Sequence, residues 1–328
     1  MRSERRVHII SAGGAELGSG HLVRMRELQR RLDEQHVRVE IIAPDNVSHN
    51  AFDTDLFILD ARDIDPRPFA RRAPVLALDN RHAERPGLET YTAARFKKNT
   101  SGSDEFQYSI QNIQAQASSY PECKFPIVFV DTIPHPQADL ADTLRNALLF
   151  ELDSAETNLQ QRRTDRLSLF VYAGDWKNKA VHSFFTRLID ENVHYDWHIC
   201  GRFVDTWQAG PQVRLSTHLE RPAFVQALRS ADLIWTYFGI TMLEAWYLRK
   251  PVVLFAPGDS EHAVLGDYLQ QAARIPFISI GTDIDTALAK ALRQLQSQSR
   301  SLPAQIPDGR GFQRLLDQIH LLLKPHNA

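Results

Sequence analysis

Cysteine is scarce in this chain: Cys123 and Cys200 are the two in 328 residues, and no Cys-x-x-Cys pair exists. A disulfide framework and a Cys-x-x-Cys metal site are both excluded by that count. Cys200 closes the apolar run that starts at Trp197, where a thiol behaves as a small buried hydrophobe. An excess of one charge is also missing. Lys and Arg number 38 against 40 Asp and Glu, a formal charge of −2, so there is no global basic field to track nucleic acid. The short arginine clusters at Arg2, Arg5 and Arg6 and at Arg162, Arg163 and Arg166 read as solvated surface. Long apolar runs are absent too. The largely apolar stretch after the basic N-terminus reaches only from Val7 to Ile10 before glycines begin, too short for the core of a signal peptide. No stretch approaches the ~20 residues that cross a bilayer. These absences predict a reduced, cytoplasmic protein without a transmembrane segment.

What is present is an alternation. Short β-rich runs at 7–11, 37–43, 56–60, 75–79 and 127–131 are followed, in the second half, by runs at 167–172, 197–200, 232–237, 252–255 and 277–280. Helical periodicity fills several of the intervals, at 21–35, 179–191, 222–230, 241–248 and 262–273. Leu22, Met25, Leu28 and Leu32 share one face of the first helix, and Pro222 suits a first helical turn. Strands alternating with helices imply parallel sheets covered on both faces. The length is about twice that of a usual single domain. The spacing therefore predicts an α/β chain of two Rossmann-like domains, 1–160 and 161–328, with the Gln- and Arg-rich stretch 157–166 as the connection or, equally, the polar end of a helix. A final helix at 312–323 either closes the second domain or crosses back to the first.

Several strand ends carry polar residues suited to chemistry. Ser11-Ala12-Gly13-Gly14-Ala15-Glu16-Leu17-Gly18-Ser19-Gly20-His21 follows a buried strand and opens a helix. Glycines such as Gly18 and Gly20 let backbone N–H groups approach a ligand, and the helix start adds about half a positive charge. The dinucleotide fingerprint does not fit, because the second strand ends in Ala43-Pro44-Asp45 rather than in an acidic residue. His21 stands at that helix start. A helix N-terminus favours the neutral imidazole, the form that accepts a proton; a capping or core histidine is the plainer reading. In the second half, Tyr237-Phe238-Gly239-Ile240-Thr241 turns a buried strand into a helix bearing Glu244. Backbone amides beside Gly239 and the Thr241 hydroxyl suit a diphosphate, and Glu244 suits a ribose diol or a helix cap. Gly174 and Lys177, in Tyr172-Ala173-Gly174-Asp175-Trp176-Lys177-Asn178, occupy another strand-to-helix turn, where Lys177 would offset phosphate charge. Asp-x-Asp strings at Asp53, Asp63 and Asp283 read as loops or caps rather than metal sites.

The order of these segments resembles the nucleotide-sugar hydrolases of pseudaminic acid biosynthesis and the spore-coat polysaccharide proteins, relatives of MurG-type GT-B glycosyltransferases. Gly18 to Leu32 resembles a Gly-x-Gly-His-x-x-Arg segment. The pair of strands ending at Asp60 and at Asp79-Asn80 is similar to the family's paired strands, the second of which usually ends in two aspartates. Phe170 to Asn178 resembles the Gly-Gly-Ser-Asp loop, and Ala231 to Phe255 the nucleotide-binding strand, turn and Glu-bearing helix. Departures stand beside these matches: Tyr237 and Phe238 replace small residues, Ala173 replaces a glycine, Asn80 an aspartate, and Ser260-Glu261-His262 follow Pro257 where relatives carry Asn or Gln.

The resemblance implies a GT-B fold whose two domains face a cleft. It implies an enzyme of glycan or surface polysaccharide biosynthesis whose substrate is a nucleotide-diphosphate sugar, a UDP-sugar first, and which needs no separate cofactor or metal. The acceptor would be a glycan, lipid or protein in a transferase and water in a hydrolase; a catalytically inactive binding or scaffold protein is the remaining alternative. His21 is expected to be the base, with Gly18, Gly20, Gly174, Lys177, Gly239, Thr241 and Glu244 binding the substrate or its nucleotide.

Overall fold

The computed structural model describes residues 5–11, 20–47, 53–61, 64–79, 124–136, 140–149, 166–174, 179–201, 210–257, 261–281, 283–298 and 307–324. The chain divides into two compact units, Met1–Phe150 joined by Asp308–Ala328, and Glu151–Pro307.

In the first unit, β1 (Arg5–Ser11), β2 (Val37–Ile42), β3 (Leu56–Asp60), β4 (Val75–Leu78) and β5 (Ile127–Val130) form one parallel sheet in the order β2-β1-β3-β4-β5. Its strands are apolar on both faces because both faces are covered. Leu56 and Ile58 of β3 join one core with Val7, Ile9, Met25 and Leu28, while Phe57 and Leu59 join another with Ile10, Phe69 and Ala77. Helix α1 (Gly20–Asp33) lies between β1 and β2, and His36, at φ 61°, turns the chain sharply after it. Its inward stripe differs from the expected one. Leu22 is half-buried, and His21 and Arg24 are buried alongside Met25, Leu28 and Leu32, so the helix start faces polar groups and the rest faces the core. Two short helices, α2 (Arg67–Ala70) and α3 (Leu140–Asn146), complete this part of the unit.

The second unit holds β6 (Ser168–Gly174), α4 (Lys179–Asp190), β7 (Asp196–Gly201), β8 (Val213–Ser216), α5 (Arg221–Ser230), β9 (Leu233–Thr236), α6 (Ile240–Tyr247), β10 (Val252–Pro257), α7 (Glu261–Ala273), β11 (Phe277–Ile280) and α8 (Ile284–Gln298). Its six strands are parallel, in the order β11-β10-β9-β6-β7-β8. The core beneath them includes Phe185, Trp197, Trp235 and Phe255, with the Phe185 and Phe255 rings edge-to-face at 4.8 Å. Cys200 is buried here, and burial pushes its thiol up to about 11.

The last helix, α9 (Gly311–Leu322), belongs to the first unit: Phe312, Leu315, Leu316 and Ile319 pack into the core of β1, β3 and α1. Gly311 allows that docking. A Cβ there would lie 2.1 Å from the Ala147 carbonyl oxygen, so no larger residue fits without moving backbone. The Arg31 guanidinium sits 4.6 Å above the Phe312 ring, and the His320 ring meets the Gln35 side-chain oxygen at 2.6 Å.

Candidate functional site

In a parallel α/β sheet, strand C-termini and helix N-termini gather at one edge, where ligands bind. In the first unit that edge carries a buried polar cluster. Ser11 ends β1, Asp60 ends β3, Asp79 follows β4, Thr132 follows β5, and His21 and Arg24 occupy the first turns of α1. Arg24 is 1% exposed and Asp60 0%, so these charges are held by each other rather than by water.

Arg24 is the hub. Its Nε lies 3.4 Å from Asp60 Oδ2, and its Nη2 donates to Asp60 Oδ1. Its Nη1 donates to Asp79 Oδ2 at 2.8 Å and to Thr132 Oγ1 at 2.9 Å. Asp79 is anchored from the far side: the backbone N–H groups of Thr132 and Ile133 reach its Oδ1 at 2.6 and 3.0 Å, and the Thr132 hydroxyl donates to Oδ2 at 2.7 Å. Asp79 adopts φ 48°, a left-handed conformation that costs a non-glycine residue free energy and that clusters at functional sites. Burial alone would raise the Asp79 carboxyl; Arg24 and Thr132 outweigh burial and hold it below its ordinary value. Burial likewise opposes the charge on Arg24, yet Asp60 and Asp79 raise its pKa above the ordinary value.

His21 joins this cluster through Nδ1, 3.0 Å from Asp60 Oδ1 and 3.0 Å from Arg24 Nη2, and Ser11 Oγ donates to Asp60 Oδ2 at 3.2 Å. An imidazole oriented by a buried carboxylate is an arrangement suited to proton transfer. A second histidine–carboxylate pair, His135 Nε2 and Asp131 Oδ1 at 3.3 Å, stands just past β5. The sequence assigns Arg24 no role of its own, although it is the arginine of the Gly-x-Gly-His-x-x-Arg resemblance and its place three residues after His21 puts both on one helical face.

In the second unit, Gly174 closes β6 at φ 56°. A Cβ there would lie 2.3 Å from the Tyr237 hydroxyl oxygen, so glycine is required by backbone conformation and by space. The bulk that Tyr237 brings is absorbed by stacking: its ring lies 5.9 Å from that of Tyr172 at 21°, and 5.3 Å from that of His262, edge-on. Gly239 precedes α6 in an extended conformation. Thr241 and Glu244 are buried in α6. Arg221 Nη1 lies 2.8 Å from Glu244 Oε1, an ion pair not aligned as a hydrogen bond. Burial pushes the Glu244 carboxyl up to about 7, with Arg221 pulling the other way.

Gly20 is the first residue of α1. Gly18 and Lys177 lie outside the described residues, as do Asn80, Cys123 and Asp63. The structure groups His21 with Asp60 and Asp79, and sets Gly174 against Tyr237 next to Gly239. Of the Asp-x-Asp strings, Asp53 and Asp55 hold Arg6 and Arg5, Asp65 holds Arg67, and Asp283 caps α8 through the Thr286 N–H. Among the described residues, no three His, Cys, Asp or Glu side chains come together as a metal site, and no helix is long and apolar enough to cross a membrane.

No family model and no curated protein matches the sequence. Solved structures match along nearly the whole chain. The glycotransferase of kitacinnamycin is 13% identical with a TM-score of 0.59, over 98% of this chain and 99% of its own. The UDP-GlcNAc 2-epimerase of Neisseria meningitidis, bound to UDP-GlcNAc, is 10% identical with a TM-score of 0.58, over 96% and 100%. MurG of Acinetobacter baumannii is 11% identical with a TM-score of 0.53, over 97% and 99%. Two parallel-sheet α/β units and these neighbours together show a fold of the GT-B type.

Proposed function

We propose that the chain is an enzyme acting on a nucleotide-diphosphate sugar, a UDP-sugar first, and that it transfers the sugar to an acceptor hydroxyl in glycan or surface polysaccharide biosynthesis. One observation carries the reading: in a GT-B fold, a histidine at the start of α1 is held 3.0 Å from a fully buried aspartate at the end of β3. An imidazole fixed in this way takes the proton of the acceptor O–H as its oxygen attacks the anomeric carbon. The bond from that carbon to the diphosphate breaks, and the nucleoside diphosphate leaves with the electron pair. Asp60 stabilises the imidazolium that forms. On this reading Gly174, Lys177, Gly239 and Thr241 serve the diphosphate and Glu244 the ribose, while Gly18 and Gly20 serve the sugar side. Hydrolysis is the second reading. It is favoured by the resemblance of Gly18 to Arg24 to the hydrolases' His-bearing segment, and differs only in that water replaces the acceptor.

A thermal-shift screen against UDP, GDP, CMP and dTDP, followed by mass spectrometry with UDP-GlcNAc, tests both. UDP should raise the melting temperature. Free sugar formed without acceptor marks a hydrolase, and a glycoside formed with acceptor marks a transferase. If no nucleotide stabilises the protein, the enzyme reading falls and a scaffold role replaces it.

A further inference from the structure

We propose that Arg24 is a positioning residue for His21: it fixes the aspartate that holds the imidazole, and thereby decides which ring nitrogen carries the proton. Its importance for turnover rests on the function proposed above; its effect on the ring does not.

The argument begins at Asp60. A buried carboxylate offers about four acceptor sites, and an unused one is costly. Four donors are in place: Ser11 Oγ and Arg24 Nε at Oδ2, Arg24 Nη2 and His21 Nδ1 at Oδ1. Because Nδ1 is 3.0 Å from both Asp60 Oδ1 and Arg24 Nη2, two assignments exist. If Nδ1 were bare and accepted from Nη2, its lone pair would face a carboxylate oxygen 3.0 Å away inside the protein. If Nδ1 carries the proton, it completes the set of donors on Asp60. The second arrangement removes that repulsion at the expense of one Nη2–H···Nδ1 contact, and it leaves Nε2 as the nitrogen with a free lone pair.

Arg24 enforces this through a relay of contacts. Backbone N–H groups after β5 fix Asp79, Asp79 and Thr132 fix Nη1, and the remaining nitrogens fix both oxygens of Asp60. The planar five-donor fork lets one side chain hold both oxygens of Asp60 together with Asp79 and Thr132 in fixed directions; the three donors of an ammonium cannot reproduce that geometry.

The test is the tautomer. Two-bond 1H–15N correlation spectra of 15N-histidine-labelled protein, recorded at alkaline pH and assigned with His21→Asn, report which nitrogen is protonated. Wild type should show the Nδ1–H form alone. Arg24→Lys keeps the charge but not the fork, and Arg24→Met combined with Asp79→Asn keeps the net charge without the clamp, so at least one of the two should fold. Each folded variant should show a mixture of tautomers. With UDP-GlcNAc, kcat should fall about 100-fold while KM stays near the parent's, as expected for a misplaced group. An Nε2–H form in wild type, or an unmixed Nδ1–H form in a folded variant, overturns the proposal. Should the tautomers behave as stated while wild type leaves UDP-GlcNAc untouched, the positioning role stands and the proposed function fails.

Discussion

Replacing Glu244 with Gln should make the second unit more stable at pH 8 and leave it almost unchanged at pH 5. Glu244 is 2% exposed, and burial moves its carboxyl from 4.5 to about 7. The folded state therefore holds this proton to higher pH than the unfolded state. The stability that goes with it is fully present below pH 4.5 and is lost as pH rises to about 7. A gap of about two and a half pH units at ~1.4 kcal/mol each amounts to roughly 3 kcal/mol lost by pH 8. Gln keeps the shape without the charge. Its Arg221 partner has a side chain 36% exposed, so water can take over there and about 1–3 kcal/mol of gain should survive. The assay is urea unfolding at the two pH values, followed by tryptophan fluorescence. All five tryptophans lie within Glu151–Pro307, so the signal reports this unit alone. If the variant and the parent lose stability equally between pH 5 and 8, Glu244 is not the buried titrating group and the reasoning fails. If Glu244 also serves the ribose, the variant should bind UDP more weakly in calorimetry while being more stable, the usual trade at a binding residue.

Three further outcomes are expected. His21→Asn should lower turnover of UDP-GlcNAc by roughly two to four orders of magnitude with UDP affinity nearly unchanged; full activity per folded molecule would remove the histidine from the chemistry. Gly174→Ala should cost about 1–3 kcal/mol in urea unfolding, from its φ of 56° and the Tyr237 hydroxyl, and adding Tyr237→Ala should recover only the steric part. A neutral Gly174→Ala would mean that Tyr237 does not lie against this glycine. Gly311→Ala should loosen α9 from Ala147 and cost about 2 kcal/mol or more, seen as faster proteolysis of the C-terminal segment and a lower melting temperature. An unchanged proteolysis rate would contradict that packing.

Much of the sheet architecture can be read from single segments, because strands of a doubly covered parallel sheet are short apolar runs with sharp ends. Leu56–Asp60 and Phe277–Ile280 emerge with the boundaries their residues announce. The elements that escape such reading are those with weak local signals. Strand β8 is Val-Arg-Leu-Ser at the sheet edge and only half-buried, so no apolar run marks it. Helix α8 turns Ala287 and Ala291 toward the core, residues too small to make a conspicuous stripe. In the site, His21 is marked by the glycines before it. Arg24 falls at the arginine of the Gly-x-Gly-His-x-x-Arg resemblance, but nothing local assigns it a role, since one arginine among several in a helix reads as surface. Its partners Asp60 and Asp79 lie 36 and 55 positions away, and only the sheet order brings them together.

The return of α9 to the first unit has a consequence for biosynthesis. During translation, β1 to β5 leave the ribosome first, yet the apolar face they share with α1 stays without Phe312, Leu315, Leu316 and Ile319 until the whole of Glu151–Pro307 has been made. At about 5–20 residues per second, that interval lasts roughly 10–30 seconds. The second unit has no such wait, because its sequence is continuous and its core is complete once β11 and α8 emerge. The order of maturation should therefore run against the order of synthesis: the unit made second closes first, and the unit bearing His21 closes last. A nascent chain stalled before residue 308 would display an uncovered apolar sheet face, the kind of surface that chaperones hold.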